Sequence, residues 1–177
     1  MRICLLFILL LTSGLVSSQN LFFIGEESYP STRSFRLSSN SDIDSRGLHG
    51  GLYSLNITIA KNENKGMLVL STKTLTGLFI KGKTLVYLEN GDVISCVDRG
   101  IYDKVNGIST TVYRLTSGEI DALKDSNIHT IRFNLKCGEC ESSTEEGSFS
   151  ASNRSSGYGM SAKDKIDVPK LVRSLFD

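Results

Sequence analysis

The chain lacks most of the features that would announce a function. Past its first few residues it has no apolar run of membrane-spanning length, which would need about 20 residues, so no permanent membrane anchor is expected. It has no excess of charge of either sign: 20 Lys and Arg stand against 19 Asp and Glu in 177 residues. No block of like charge interrupts that balance, which argues against nucleic acid or an anionic membrane surface as a partner. There are only two histidines, His49 and His129. No H-E-x-x-H, no G-x-S-x-G elbow, no second C-x-x-C and no internal repeat is present, so no catalytic constellation announces itself and no cofactor or metal is expected.

What is present begins with a leader. Arg2 precedes the apolar run Ile3 to Leu11, and the small and polar stretch Thr12 to Ser18 follows. That is the layout of a secretory signal peptide, with cleavage expected after Ser18. Cys4 lies inside the apolar run, so no lipid-acceptor cysteine follows it. The product is expected to be secreted or periplasmic and free of a lipid anchor. Loss of residues 1–18 leaves 159 residues with 19 basic and 19 acidic side chains, enough for one domain.

Three cysteines then remain, Cys96, Cys137 and Cys140. In an oxidising compartment, an odd number leaves one thiol over after a single disulfide. Cys137-Gly138-Glu139-Cys140 has the spacing of a redox pair or of half a zinc site. It ends an expected strand and enters a loop carrying Glu139, Glu141, Glu145 and Glu146, however, and neighbouring carboxylates raise a thiol pKa. A structural disulfide, local or reaching Cys96, is favoured over redox catalysis and over zinc held with His49 or His129.

The rest of the sequence reads as mainly β, a β-sandwich or layered antiparallel sheet. Tyr53, Leu55, Ile57 and Ile59 alternate with polar residues, as in a strand with one buried face. Met67 to Leu70 is continuously apolar, as in a strand covered on both faces. Thr84 to Val97 flanks Asn90-Gly91, which suggests a two-residue type I′ hairpin pairing Leu88 with Val93 and Leu85 with Cys96. With both of its faces apolar, that hairpin is expected in the middle of the domain. Thr116-Ser117-Gly118-Glu119 is a capping box that opens a short helix near 117–126. A strand from Ile128 to Lys136 follows, with Ile131, Phe133 and Leu135 facing in. A C-terminal amphipathic helix is expected over 168–176.

The organisation is therefore a signal (1–18), N-terminal strands and a polar loop (19–51), a β-rich core (52–137), a Ser, Gly and Glu-rich segment expected to be partly mobile (138–165), and the terminal helix region (166–177). Within the first and third of the mature segments, strands are expected at Leu21 to Ile24, Arg33 to Leu37 and Gly147 to Ala151. The stretches Ile24 to Thr32, Leu85 to Arg99, Tyr113 to Leu135 and Phe149 to Asn153 resemble small secreted proteins of the Bacteroidota. That resemblance implies bacterial export and no particular activity.

The loop from Asp98 to Gly107 mixes carboxylates, cations and an aromatic between two core strands, where binding residues tend to sit. Arg99, Tyr102 and Asp103 are the expected ligand contacts. The bland reading is a solvated connection in which Asp98 and Arg99 pair to fix the strand end. Asp98 and Asp103 could also serve as an acid and base pair, but nothing in the sequence separates their pKa values. The expected function is an exported, non-catalytic binding or interaction module whose partner is a protein, a glycan or a small molecule. The alternatives are a small hydrolase using residues 98–106, and a cysteine-based redox or zinc protein.

Overall fold

A computed structural model describes residues 20–39, 54–74, 77–138, 146–153 and 165–177. The expected signal, His49, Tyr53 and Cys140 lie outside the described residues. The chain is mainly β. Its strands are β1 (Asn20–Ile24), β2 (Glu27–Ser31), β3 (Phe35–Ser39), β4 (Leu55–Asn62), β5 (Lys65–Lys73), β6 (Leu78–Ile80), β7 (Thr84–Leu88), β8 (Val93–Cys96), β9 (Tyr102–Val105), β10 (Ile108–Leu115), β11 (Ile128–Cys137) and β12 (Gly147–Ser152). Two helices, α1 (Ser117–Asp125) and α2 (Val168–Phe176), complete it.

The strands pair antiparallel in the order β8-β7-β11-β12-β3-β4-β5-β10-β9. The sheet curls over at β3, which pairs with β4 through Phe35 to Leu37 and with β12 through its last two residues. The inward residues of the two halves then meet in a single core. Leu55, Ile57, Ile59, Leu68, Leu70 and Tyr113 come from one half, and Val86, Ile94, Ile131, Phe133 and Leu135 from the other. Met67, Val69 and Val112 point the opposite way and are covered by the β1–β2 hairpin through Phe22, Ile24 and Tyr29. The continuous apolar run of β5 thus has both of its faces buried, as the sequence requires.

Both helices close the end of the sheet where Leu115 pairs with Gly66. The capping box of α1 forms as expected: the Glu119 amide donates to Thr116 Oγ1 (3.3 Å), and Thr116 N donates to Glu119 Oε2 (2.7 Å). Ile120 and Leu123 are buried beneath it. Helix α2 starts at Asp167, whose side chain accepts from the Lys170 amide, with Pro169 in its first turn. It buries Val168 and Val172, and Lys61 Nζ donates to the carbonyls of Leu175 and Phe176 at its far end.

The hairpin over 84–97 departs from expectation in one respect that has large consequences. Leu88 N donates to Asp92 O (2.9 Å) and Gly91 N to Leu88 O (3.1 Å), so the loop holds three residues, Glu89-Asn90-Gly91, and Gly91 takes φ +95°. This is a tight turn followed by a left-handed glycine, not a two-residue type I′ turn. Val86 therefore pairs with Ile94 and Thr84 with Cys96. A one-residue slip exchanges faces. Val86, Leu88, Ile94 and Cys96 share the buried face, while Val93 and Val97 stand 49% and 60% exposed. The hairpin is also not central, because β8 is an edge strand.

Three strands fall where none was expected. β2 carries Pro30 opposite Leu21 and completes the N-terminal hairpin. β9 forms inside the stretch read as a loop, joined to β10 by Asn106-Gly107, both with positive φ (52° and 76°). The type I′ turn that asparagine and glycine permit is thus found here. β6 pairs with β11 through Leu78 to Ile80 and then runs into β7 along the same side of β11.

On its other side β6 meets β10 without a backbone ladder. Side chains take the ladder's place: Ile80 N donates to Ser109 Oγ (2.9 Å), Thr111 Oγ1 donates to Ile80 O (2.6 Å), and Tyr113 Oη donates to Gly82 O (3.1 Å). Ser109, Thr111 and Tyr113 are consecutive inward positions of β10, all buried. Thr111→Val preserves shape and leaves the Ile80 carbonyl without its donor in a dry interior. It is expected to cost about 1–3 kcal/mol in urea unfolding, whereas Thr110→Val on the half-exposed face costs under about 1 kcal/mol.

Candidate functional site

The end of the sheet opposite the helices carries an open cleft of about 500 Å³. Thr74, Gly77 and Phe79 form one wall, and Tyr102, Asp103 and Lys104 of β9 form the other, with Gly107 at the turn. β6 and β9 can face each other because β6 is strapped to β10, to which β9 is also paired. Tyr102 and Lys104 pair with Thr111 and Ser109, so they project toward β6. The Tyr102 ring meets Phe79 edge-on, with centroids 5.5 Å apart, and stays 42% exposed.

Three lysines gather at this aromatic pair. Lys81 Nζ lies 4.3 Å from the Tyr102 ring centroid and 5.2 Å from that of Phe79. Lys104 Nζ lies 5.4 Å from the Phe79 ring and donates to the Leu78 carbonyl (3.2 Å). Lys136 pairs directly across from Phe79 and so stands on the same face. Its ammonium would touch a Cβ built on Gly82 at 3.6 Å. Among the described residues no carboxylate lies within ion-pair distance of Lys81 or Lys136, and neither ammonium has a hydrogen-bond acceptor. Gly138 lies beneath the cluster: a Cβ there would come within 2.9 Å of the Phe79 ring and 3.1 Å of Lys81 Nζ.

No family model matches this chain, and neither a curated protein nor a solved structure is significantly similar to it. The reading of the site therefore rests on its geometry alone.

The geometry sorts the expected residues. Tyr102 and Asp103 line the cleft, and Arg99 does not; it is exposed in the turn before β9. Asp98 has a structural task instead. Its carboxylate accepts from Gly82 N (2.5 Å) and Gly100 N (2.8 Å), holding the kink where Gly82 takes φ +87° between β6 and β7. The expected Asp98–Arg99 pairing is replaced by these backbone contacts. With both of its oxygens committed, Asp98 is poorly placed to share acid and base work with Asp103, whose Oδ1 accepts from Lys104 N (2.7 Å). Phe79, Lys81 and Lys136 escape a reading of the sequence because they come from β6, its exit and β11, far from the loop that drew attention.

The cysteines separate as well. Cys96 is a free thiol buried in the core, so it is not a disulfide partner of Cys137 or Cys140. Cys137 closes β11 and is not free. His129 stands eight residues before Cys137 on the same strand, roughly 26 Å away at the usual strand rise, so the two cannot share a zinc ion. Its Nδ1 is 2.9 Å from Thr130 Oγ1. Among the described residues no cluster of three or more metal-ligating side chains forms.

Burial pushes the Cys96 thiol up to about 12, with Glu119 adding to the shift, and burial likewise pushes the Tyr113 hydroxyl up to about 12. Both groups are neutral in the folded chain and ionise first in the unfolded one. Their stabilisation is fully present below the unfolded pKa values, about 8.5 and 10, and is lost as pH rises from there toward 12. Urea unfolding between pH 8 and 11.5 is expected to show a loss of the order of a few kcal/mol. Cys96→Ala should flatten the part of that loss that begins near pH 9.

Proposed function

We propose that the mature chain is an exported, non-catalytic binding module whose ligand occupies the cleft between β6 and β9. The observation that carries this reading is the half-exposed Tyr102 ring, met edge-on by Phe79 and flanked by the Lys81 ammonium, in an open cleft at one end of the sheet. An aromatic surface with a few convergent polar groups is the usual composition of a ligand site. The cleft walls are strands fixed by ladders and buried hydroxyls, so the site needs no large rearrangement to accept a small molecule, a glycan end or a peptide side chain.

Export by the 1–18 leader, in a bacterium of the Bacteroidota type, fits a free product with a binding task. In that compartment Cys137, the last residue of β11, pairs locally with Cys140. Support for the pairing comes from the buried, free state of Cys96 and from Cys137 not being free. Thiol titration of the mature protein is expected to find a single reactive thiol, and only in denaturant. Two or more thiols reacting in the native state would remove the local bridge.

The binding role is tested by titrating the labelled mature chain with a panel of neutral and acidic sugars, amino acids and short peptides, followed by NMR. Ligands are expected to shift amides within 77–81 and 101–107. Tyr102→Ala is expected to weaken binding at least tenfold, and Arg99→Ala to leave it unchanged. Shifts confined to another surface, or recovery of a chemically converted ligand, would refute the proposal.

A further inference from the structure

The β7–β8 hairpin is apolar on both faces, and the fold covers only one of them. Val86, Leu88, Ile94 and Cys96 enter the core. On the opposite face the register sets Val93 beside Tyr87 and Ser95 beside Leu85, with Val97 next along the chain. Val93 and Val97 are well exposed there, and Leu85 and Tyr87 are partly so. The four side chains form one patch that runs roughly 13 Å from Val93 to Val97 at the usual strand rise. Single exposed valines need no explanation, whereas apolar side chains gathered on one face mark an interaction surface.

Charge decides what can cover this patch. Arg132 of β11 pairs directly with Leu85, and Lys83 lies two residues before Leu85 on the same face. Both cations are exposed, and among the described residues neither has a carboxylate within ion-pair distance. β7, β8, β11 and β12 contain no Asp or Glu. A second copy docked through the same face would therefore set cations against cations with no acid to offset them. The hairpin tip, Glu89 to Asp92, is polar and carries two carboxylates, so it is a poor wedge into lipid. Strand addition is closed to β7, which is paired on both sides.

We infer that the outer face of β7 and β8 docks an acidic amphipathic helix of a protein partner. A helix about 10 Å across matches the roughly 10 Å from β8 over β7 to β11. Its apolar side lies on Val93, Val97, Leu85 and Tyr87, and carboxylates along its edge meet Lys83 and Arg132 in charge-assisted hydrogen bonds. This face shares no residue with the lining of the cleft between β6 and β9, so either reading stands without the other.

Two synthetic amphipathic peptides of equal length test the assignment by NMR of the labelled mature chain. One carries leucines on one side and glutamates on the other, and the second has lysines in place of the glutamates. The glutamate peptide is expected to shift amides within 83–87 and 93–97 and to bind at least tenfold more tightly than the lysine peptide. Val93→Thr combined with Val97→Thr is expected to weaken it about tenfold, and Arg132→Gln to remove most of the preference between the two peptides. Tyr102→Ala, in the cleft, is expected to change neither. Thermal melting of each variant checks that the fold is kept.

Equal binding of the two peptides, or binding of neither, would overturn the proposal. Shifts within 77–81 and 101–107 instead would place the peptide in the cleft and overturn it as well. If phosphatidylglycerol vesicles shift the hairpin amides and the glutamate peptide does not, the face is a lipid surface and the proposal fails. Self-association that disappears in the double valine variant would make it a contact between copies, with the same result.

Discussion

The backbone of residues 80–82 is bound on one side by a β ladder and on the other by side chains, and the rest of the molecule is arranged around that junction. Lys81 N donates to the Asn134 carbonyl at 3.1 Å, continuing the pairing with β11. Facing it, Ser109, Thr111 and Tyr113 of β10 satisfy the Ile80 amide, the Ile80 carbonyl and the Gly82 carbonyl. An unpaired backbone group in this dry position would cost about 1–3 kcal/mol, so the three side chains make a join possible where no strand register allows one. They fasten the last strands of one half of the curled sheet to the first strands of the other.

The cleft is a consequence of that junction. With Leu78 and Ile80 turned inward, Phe79 is forced to the outer face, and β9, carried on the far edge of β10, brings Tyr102 and Lys104 down upon it. Gly82 then bends the chain so that β7 can continue along β11 in a new register. Its amide and carbonyl are held by Asp98 and Tyr113, and Asn134 Nδ2 donates to the neighbouring Lys83 carbonyl at 3.1 Å. A left-handed backbone costs a residue with a Cβ of the order of 1 kcal/mol, which explains glycine at that place. The polar residues of the 98–107 stretch thus divide their duties: Asp98 supports the scaffold, while Tyr102 and Asp103 line the cleft.

Much of the fold was legible because it is locally encoded. Alternation in 55–59, the apolar run of 67–70, the capping box at Thr116 and the apolar spacing after Pro169 each specify an element without reference to the rest of the chain. The Asn-Gly signal was true as a turn signal and misleading as a register. At Asn90-Gly91 the Asn90 side chain accepts from the Asp92 amide at 3.1 Å, which favours a loop longer by one residue, whereas Asn106-Gly107 makes the two-residue turn. The difference of one residue reversed the faces of β7 and β8. The short strands β6 and β9 have three and four residues, too few for a periodic pattern, and exist because tertiary partners hold them. Only half of the site was visible for the same reason: Tyr102 and Asp103 lie in one suggestive stretch, and Phe79, Lys81 and Lys136 join them through pairings distant in sequence.

Composition and site are consistent once their scales are separated. A near-zero net charge, 20 Lys and Arg against 19 Asp and Glu, leaves the chain without a strong long-range field that would gather a polyanion. Folding nevertheless places Lys81, Lys104 and Lys136 around a single phenyl ring although any two of them are at least 23 positions apart in sequence. The carboxylates that balance these cations globally are used elsewhere: Asp98 at the kink, Glu119 in the helix cap, Asp177 on Lys124 and Glu89 on Lys165. The positive potential of this cluster is therefore local to one end of the sheet.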